Sequence, residues 1–403
     1  LLSEGHYDAF GGGGQIVPVT LEAYDPASGL LETVATIPGA RFGSDVIVAD
    51  GSIYVAADDR VLRFDADGFG LEAEASVTGV RKLAVWNDLL LLTRGELGGL
   101  PHYFEARDRN SLELQWVVAP EDGLTMSAEG IAVVGSKAFL AVNNAFDWSN
   151  LAGRIGVVDL ESAAYVQEID LGPVGLNPER LFAHQGDLLA FSNTDFSRSG
   201  ITRVQLDASP TVEYSMVVAQ NSGCSASTLA DAAGQVYYME YAQGELARFD
   251  ADAAAVADTL AGTPFAYGLL HDALNQVIYA TTTDFVGTGR LHVLDMDGQV
   301  LHTVDCGVSV GNMALDVRMA TGIAPASRAV PAVFPNPASG SLTIHAPWVS
   351  GASLVEVADA TGRVVHSERL SIGQPRTIDA GAWEPGLYVV RAEGQVPVRV
   401  MKR

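Results

Sequence analysis

The stretch SIYVAADDRVLRFDADG, Ser52 to Gly68, is the unit that the chain repeats. A short strand (Ile53-Tyr54-Val55-Ala56) passes through a polar turn into a second strand (Val61-Leu62-Arg63-Phe64) that ends on Asp65, and Ala66-Asp67-Gly68 turns the chain again. Aspartate suits this corner because its carboxylate can accept a bond from the backbone amide two residues on. Equivalent corner aspartates stand at Asp25, Asp65, Asp108, Asp159, Asp207, Asp250 and Asp295, at spacings of 40, 43, 51, 48, 43 and 45 residues. A period of that length with several short strands per unit predicts a β-propeller.

Six of these units are preceded by an apolar opening strand, beginning at Asp45, Lys82, Gly130, Arg180, Ser227 and Gly268; the first lacks one. A surplus strand, Met313-Ala314-Leu315-Asp316-Val317, comes after the last unit. Ring closure accounts for both: residues 312–318 complete a composite blade with the three N-terminal strands, leaving no open edge. The expected fold is all-β, seven four-stranded blades over residues 1–318. Each blade lies between two others, so both faces of its inner strands are covered, which explains runs such as Leu89-Leu90-Leu91-Leu92.

The 403 residues include 24 Lys+Arg and 49 Asp+Glu, a net charge of −25. The excess sits before residue 330, since residues 330–403 hold seven basic and six acidic side chains. Such an acidic body repels nucleic acid and anionic membranes. Coding bias with ordinary solubility is the plain reading of the acidity, and salt adaptation the sharper one. No run approaches the roughly 18 apolar residues of a membrane-spanning helix, which predicts a soluble chain. The chain opens on Leu1 with no basic-then-apolar leader, consistent with removal of a signal peptide or a trimmed terminus. Cys224 and Cys306 fit no zinc spacing and would pair only in an oxidising compartment.

Residues 319–329 read as a Pro/Ala/Ser-bearing linker, and residues 330–403 as about seven short strands forming a small β-sandwich. Four motifs stand in order there: Phe334-Pro335-Asn336-Pro337-Ala338-Ser339-Gly340, Val357 to Val365 with Gly362-Arg363, Pro385-Gly386-Leu387-Tyr388-Val389-Val390, and the terminal Val400-Met401-Lys402-Arg403. With these the tail resembles the type A C-terminal sorting domain of proteins exported by the type IX secretion system of Bacteroidetes-like bacteria, although that family usually has Tyr where Phe334 stands. The resemblance implies the secretion machinery as a partner, a place outside the outer membrane, and Pro335, Asn336, Pro337, Gly362, Arg363, Gly386, Tyr388 and Lys402 as sorting-signal residues.

Residues 1–318 are similar to the YncE-like seven-bladed propellers of bacterial surfaces, through Leu2-Ser3-Glu4-Gly5, Tyr24-Asp25-Pro26-Ala27-Ser28-Gly29 and Ser52-Ile53-Tyr54-Val55-Ala56. Some surface propellers of that group bind corrinoids and pass them to a TonB-dependent transporter. The resemblance thus implies capture of a corrinoid or similar nutrient.

Loops leading into the innermost strands and loops joining second to third strands share one face of a propeller. The second set is long at 6–15, 94–102, 143–154, 193–200 and 282–289, and minimal at 57–59 and 242–244. A bare scaffold needs only short turns, so the long loops suggest a selected surface. An acid–aromatic pairing recurs in them, at Tyr7-Asp8, Phe146-Asp147-Trp148, Asp195-Phe196 and Asp284-Phe285. Exposed aromatics offer contact area at small entropic cost, while the plainer reading has them pinning the loops down. The candidate ligand-binding residues are Tyr7, Phe10, Arg41, Phe42, Arg81, Arg94, Trp148, Arg180, Phe196, Tyr267 and Phe285. The arginines would meet an anionic or amide-rich ligand or serve as inter-blade salt bridges.

Catalysis finds little support. The eight histidines have no metal-ligand partner at helical or strand spacing, and no serine sits in a nucleophile-elbow context. Glu129, Asn177 and Asn312 are the candidates for a central Ca2+, which a hydrolase of lactone or phosphate esters would need. The expectation is a secreted, non-enzymatic ligand binder. The alternatives are that calcium-dependent hydrolase and an adhesion or surface-layer module that meets protein or glycan.

Overall fold

The computed structural model describes residues 1–8, 13–194, 196–207, 209–220, 228–317, 332–345, 353–370, 376–392 and 398–403. The chain divides into two compact units, Leu1–Asp316 and Val317–Arg403. Phe10, Cys224 and the 319–329 linker lie outside the described residues.

The first unit is an all-β propeller of seven four-stranded antiparallel sheets. Numbering blades from Gly43, blade 1 spans residues 43–76, blade 2 80–118, blade 3 128–170, blade 4 178–219, blade 5 228–260 and blade 6 268–306. Blade 7 is composite, ordered Val310–Asn312, Leu2–Ser3, Val19–Asp25, Leu30–Ile37. Leu2 pairs with Asn312 and Ser3 with Val310.

Closure therefore occurs as the repeat count demands, but three residues earlier than the apolar run Met313–Val317 suggests. With Asn312 opposite Leu2, the residues after it run past the paired segment. Met313 and Leu315 still pack beside Tyr24 and Leu31, while Ala314 packs on the cluster holding Val46 and Leu62. The alternation is real, but its use is side-chain cover and not a ladder.

The run Leu89–Leu92 shows how the blades cohere. Leu90 and Leu92 point back to Tyr54 and Val61 of blade 1, whereas Leu91 points forward to Leu140 and Val158 of blade 3. All three are fully buried, worth about 1.5–3 kcal/mol each. A one-sided sheet would have needed a polar residue at every second place.

The corner aspartates do their expected work. Asp25, Asp65, Asp108, Asp159, Asp250 and Asp295 each accept a backbone amide two or three residues on, at 2.7–3.0 Å. Asp207 adjoins a residue outside the described set.

The second unit is a small sandwich of a three-stranded sheet (Ala332–Phe334, Ser341–His345, Arg376–Asp379) and a four-stranded one, ordered Val364–Leu370, Ser353–Asp359, Gly386–Ala392, Val398–Lys402. The strand Ala332–Phe334 carries the start of the first tail motif and was not expected from the sequence. Leu342, Ile344, Val357, Val390 and Val400 form the core between the sheets.

Candidate functional site

Strand order fixes which ends of the blades meet. Successive strands within a blade are antiparallel, so the loops into each innermost strand and the loops between second and third strands emerge on one face. At the axis on that face the first residues of the innermost strands enclose a cleft of about 230 Å3. Phe42 and Ser44 come from blade 1, Arg81 and Lys82 from blade 2, Glu129 from blade 3, Arg180 from blade 4, Tyr267 from blade 6, and Asn312 with Glu4 from blade 7. A second cavity of about 260 Å3 lies against Phe182, Leu229, Leu269, His271 and Met313, and Arg180 and Asn312 line both.

The cleft is a charge network. Arg81 grips Glu129, with Nη2 2.8 Å from Oε1 and Nε 2.9 Å from Oε2. Its guanidinium lies 5.5 Å from the ring centres of both Phe42 and Phe146, within cation–π range. Lys82 donates from Nζ to the Ser44 carbonyl at 2.6 Å and to Asn312 Oδ1 at 2.9 Å, with Asp45 Oδ1 at 3.8 Å. Arg180 Nη2 donates to the same Asn312 Oδ1 at 3.4 Å. Tyr267 donates to Glu4 Oε1 at 2.7 Å, and its ring meets Phe285 edge-on at 5.1 Å.

Titration behaviour follows from these contacts. Burial, and then the nearby Arg180, depress the Lys82 ammonium to a pKa of about 8. Burial raises the Glu4 carboxyl, only partly countered by the Tyr267 hydroxyl. Burial opposes the charge on Glu129 as well, but Arg81, Lys82 and Arg180 outweigh it and hold that carboxyl below its ordinary value.

The outer rim is aromatic. Trp148, in the long loop of blade 3, is 80% exposed, and Phe196, in that of blade 4, is 48% exposed. Their rings meet edge-on at 6.3 Å, joining loops of neighbouring blades. Phe196 and Phe285 occupy matching places in their loops and both hold positive φ, +57° and +65°, a conformation bulky residues rarely adopt. The Thr283 hydroxyl accepts the Phe285 amide and the Asp284 carboxylate accepts the amides of Val286 and Gly287, so the turn is bonded into this shape.

The sequence-derived candidates thus fall into groups. Phe42, Arg81, Arg180 and Tyr267 line the cleft. Trp148, Phe196 and Phe285 stand on the rim. Arg41 lies beside the cleft, stacked on Phe42 and paired with Asp58 at 2.6 Å and with Glu96. Tyr7 belongs to a separate hairpin, His6–Asp8 with Gly14–Val17, and does not line the cleft. Phe10 lies outside the described residues.

Arg94 is a correction. It is buried, with Nε and Nη2 on the Thr78 carbonyl and Nη1 facing His102 and Glu105. Its place at the end of a strand pointed to the loop face, but the buried carboxylate of Glu105 claims it for the blade.

The proposed calcium donors are a second correction. Both Glu129 oxygens are taken by Arg81. Asn312 Oδ1 already accepts from two cations. Asn177 is wholly buried, its Nδ2 donating to the Asn193 carbonyl at 3.0 Å while its Oδ1 has no hydrogen-bond partner among the described residues. Two of the three donors, Glu129 and Asn312, are thus committed to Arg81, Lys82 and Arg180, so the three do not form a ready calcium set. Among the described residues no group of three or more His, Cys, Asp or Glu side chains is arranged for a metal. Cys306 is buried, and burial pushes its thiol up to about 12.

Glu4 and Ser44 were missed as cleft residues, and Lys82, read beside Arg81 in an entry loop near the central opening, was not carried into the ligand-binding candidates. The available signal was rarity: Lys82 is one of three lysines and stands at the head of an inner strand.

In the tail, Asn336 accepts the Met401 amide at 3.0 Å and donates to the Arg399 carbonyl at 3.1 Å, so the first motif is sewn to the last. The Asn336–Pro337 peptide is cis. Gly362 takes φ +90°, and Arg363 closes on Asp359 at 3.0 Å. Gly386 pairs with Lys402, which is buried, and the Tyr388 hydroxyl donates to the Glu384 carbonyl. Pro335 is exposed.

Comparison with known proteins supports both halves. Residues 332–402 match the model of the secretion system C-terminal sorting domain. The structure is similar to Kuenenia stuttgartiensis hydrazine synthase, with TM-score 0.51 and 14% identity over 68% of this chain and 89% of that one. It is also similar to a quinonprotein alcohol dehydrogenase-like protein from Bacteroides thetaiotaomicron VPI-5482, with TM-score 0.51 and 16% identity over 76% of each chain. At such identities the likeness concerns the fold alone. No curated protein matches the chain at a significant level.

The class is thereby defined as a β-propeller carrying a C-terminal sorting domain of the type IX secretion system. That domain directs the protein to the cell surface or the medium. No helix among the described residues is long and apolar enough to cross a membrane.

Proposed function

We propose that the propeller is a non-enzymatic ligand binder, displayed at the cell surface or secreted, which captures its ligand on the long-loop face. The observation that carries this reading is the Trp148–Phe196 pair, two exposed rings held together across neighbouring blades. Large exposed aromatics that neither fill a core nor cover one mark interaction surfaces. The strained Phe196 and Phe285 turns beside them add support, since such conformations cluster at functional sites.

A corrinoid or another flat nutrient handed to a TonB-dependent transporter is the specific form of this reading, and it rests on resemblance to YncE-like surface propellers. The axial cleft of about 230 Å3 is smaller than ordinary cofactor pockets, so a corrin ring would lie across the aromatic rim. Thermal shift and calorimetry with cobalamins, haem and siderophores test it; no response to any of them removes the nutrient-capture form. The calcium-dependent hydrolase is disfavoured because two of its three donors, Glu129 and Asn312, are engaged by Arg81, Lys82 and Arg180. Adhesion to a glycan or protein would use the same rim and is separated by a glycan-array signal without small-molecule binding.

A further inference from the structure

Among the described residues, every exposed tryptophan, tyrosine or phenylalanine stands on the loop face of the propeller: Trp148, Phe196, Phe265 and Phe285. They are built into three edge-on ring pairs. Trp148 meets Phe196 between the loops of blades 3 and 4. Phe265, in the loop entering blade 6, meets Tyr241 of blade 5 at 5.1 Å, and Phe285 of blade 6 meets Tyr267 at the same separation. The pairs follow one another from blade 3 to blade 6. Single exposed apolar side chains need no explanation, but rings gathered on one face mark an interaction surface.

Each pair has a carboxylate next in sequence to one of its rings: Asp147 beside Trp148, Glu240 beside Tyr241 and Asp284 beside Phe285. One oxygen of each is tied to its own turn. Asp147 Oδ1 accepts the Ser149 hydroxyl, Glu240 Oε1 the Ala242 amide, and Asp284 Oδ1 the amides of Val286 and Gly287. The other oxygen of each has no hydrogen bond among the described residues. Arg198 begins the third strand of blade 4, and Arg290, near the start of that of blade 6, faces Asp305 at 3.7 Å. On a chain of net charge −25, such a face attracts cations and repels anions.

Blades 1 to 3 show what an acid and a ring together accept in this protein. The guanidinium groups of Arg41 and Arg81 each lie 5.5 Å from the ring centre of Phe42, and Arg81 lies equally far from Phe146. Asp58 and Glu129 supply the carboxylates, at 2.6 and 2.8 Å. Among the described residues no arginine or lysine stacks in this way on Trp148, Phe196, Phe265 or Phe285.

We infer that the three ring pairs are the docking surface for an extended, arginine-bearing segment of a partner protein. Its guanidinium groups lie on the rings and bond the second oxygens of Asp147, Glu240 and Asp284. Arginine suits the site better than lysine, because its planar group stacks on a ring while its fork bonds a carboxylate. A chain suits it better than one small cation, because successive blades repeat the same chemistry and linked contacts reinforce one another. This deepens the ligand-binding reading of the loop face by naming a class of ligand, and rests on that reading.

The test is calorimetric titration of the full chain with three synthetic peptides of about ten residues, alternating glycine with arginine, lysine or glutamate, at physiological ionic strength. The arginine peptide should bind roughly tenfold tighter than the lysine peptide, and the glutamate peptide not at all. Trp148→Ala and Phe265→Ala should each weaken arginine-peptide binding about tenfold at unchanged net charge. Asp147→Asn, which keeps the acceptor for Ser149, should weaken it about threefold. These side chains are exposed, so an unchanged melting temperature should accompany each loss. Equal affinity for the arginine and lysine peptides that survives Trp148→Ala would mean diffuse attraction to an acidic body and overturns the proposal, as does binding of the glutamate peptide. If the arginine peptide fails to bind while cobalamin, haem or a glycan binds and is lost in Trp148→Ala, this inference falls and the loop-face reading stands. If none of these ligands binds, both fall.

Discussion

Lys82 Nζ lies 2.9 Å from Oδ1 of Asn312, joining blade 2 to the closing strand of blade 7 across 230 residues of sequence. Arg180 reaches the same oxygen from blade 4. One neutral side chain thus serves as the meeting point of three blades at the axis. The contact is a clasp on the ring.

Asn312→Asp should stabilise the protein. The substitution keeps the shape of the acceptor and turns two ordinary hydrogen bonds into charge-assisted ones, each worth roughly 1 kcal/mol more. Burying the new carboxylate takes part of that back, so a net gain of about 1–2 kcal/mol is expected. Differential scanning calorimetry should show a higher melting temperature, and Asn312→Ala a lower one; a lower value for both would mean the pair of cations is already balanced.

Stability should rise with pH between about 8 and 9.5. The Lys82 ammonium titrates at about 8 in the folded chain and at its ordinary value near 10.5 when unfolded. In that window the unfolded chain holds more protons, so raising the pH favours the native state. Below pH 8 both states are charged and the penalty, on the order of 3 kcal/mol for a shift of this size, is fully present. Above pH 10 the half-buried Tyr165 and the buried Tyr238, whose hydroxyls are pushed up by burial, reverse the trend. Urea midpoints measured across the window should climb in the native sequence and stay level in Lys82→Met.

Arg94→Met should unfold the chain more readily without touching ligand binding. It leaves Glu105, which is 2% exposed, with His102 and Arg107 as its remaining partners and removes two bonds from the Thr78 carbonyl. Breaking one side of a buried pair costs about 3 kcal/mol or more. Chemical denaturation measures the loss, and an unchanged midpoint would show the network to be redundant.

Much of the fold could be read from the sequence because its signals are local. The Asp65 corner bonds to Gly68 within its own turn, so the repeat is printed in every unit, and a missing strand at one end with a surplus at the other implies closure. Register carried no such signal: Met313–Val317 is apolar in the right rhythm, yet the ladder stops at Asn312. The site was legible only in outline. Loop lengths pointed to the face on which the axial cleft opens, and Arg81, Arg180 and Tyr267 were recognisable beside the axis. Whether an arginine faces solvent or a buried carboxylate depends on residues distant in the chain, and Arg94 shows how that information is lost. The partner of Lys82 was hidden for the same reason, since Asn312 lies 230 residues further along the chain.

Trp148→Ala should leave stability within about 0.5 kcal/mol, as expected for an exposed side chain, and should weaken rim-ligand binding tenfold or more if the ring is an anchor. Phe196→Ala removes the edge of the same pair and should act in the same direction. The two changes are not independent, because each ring holds the other in place; the double variant should lose less than the sum of the single ones. Thermal shift gives the stability, and calorimetry with whichever rim ligand binds gives the coupling. The 80% exposure of Trp148 supplies a further readout: acrylamide should quench its fluorescence in the free protein and fail to do so in the complex. Full quenching in the presence of saturating ligand would place the ligand elsewhere on the propeller.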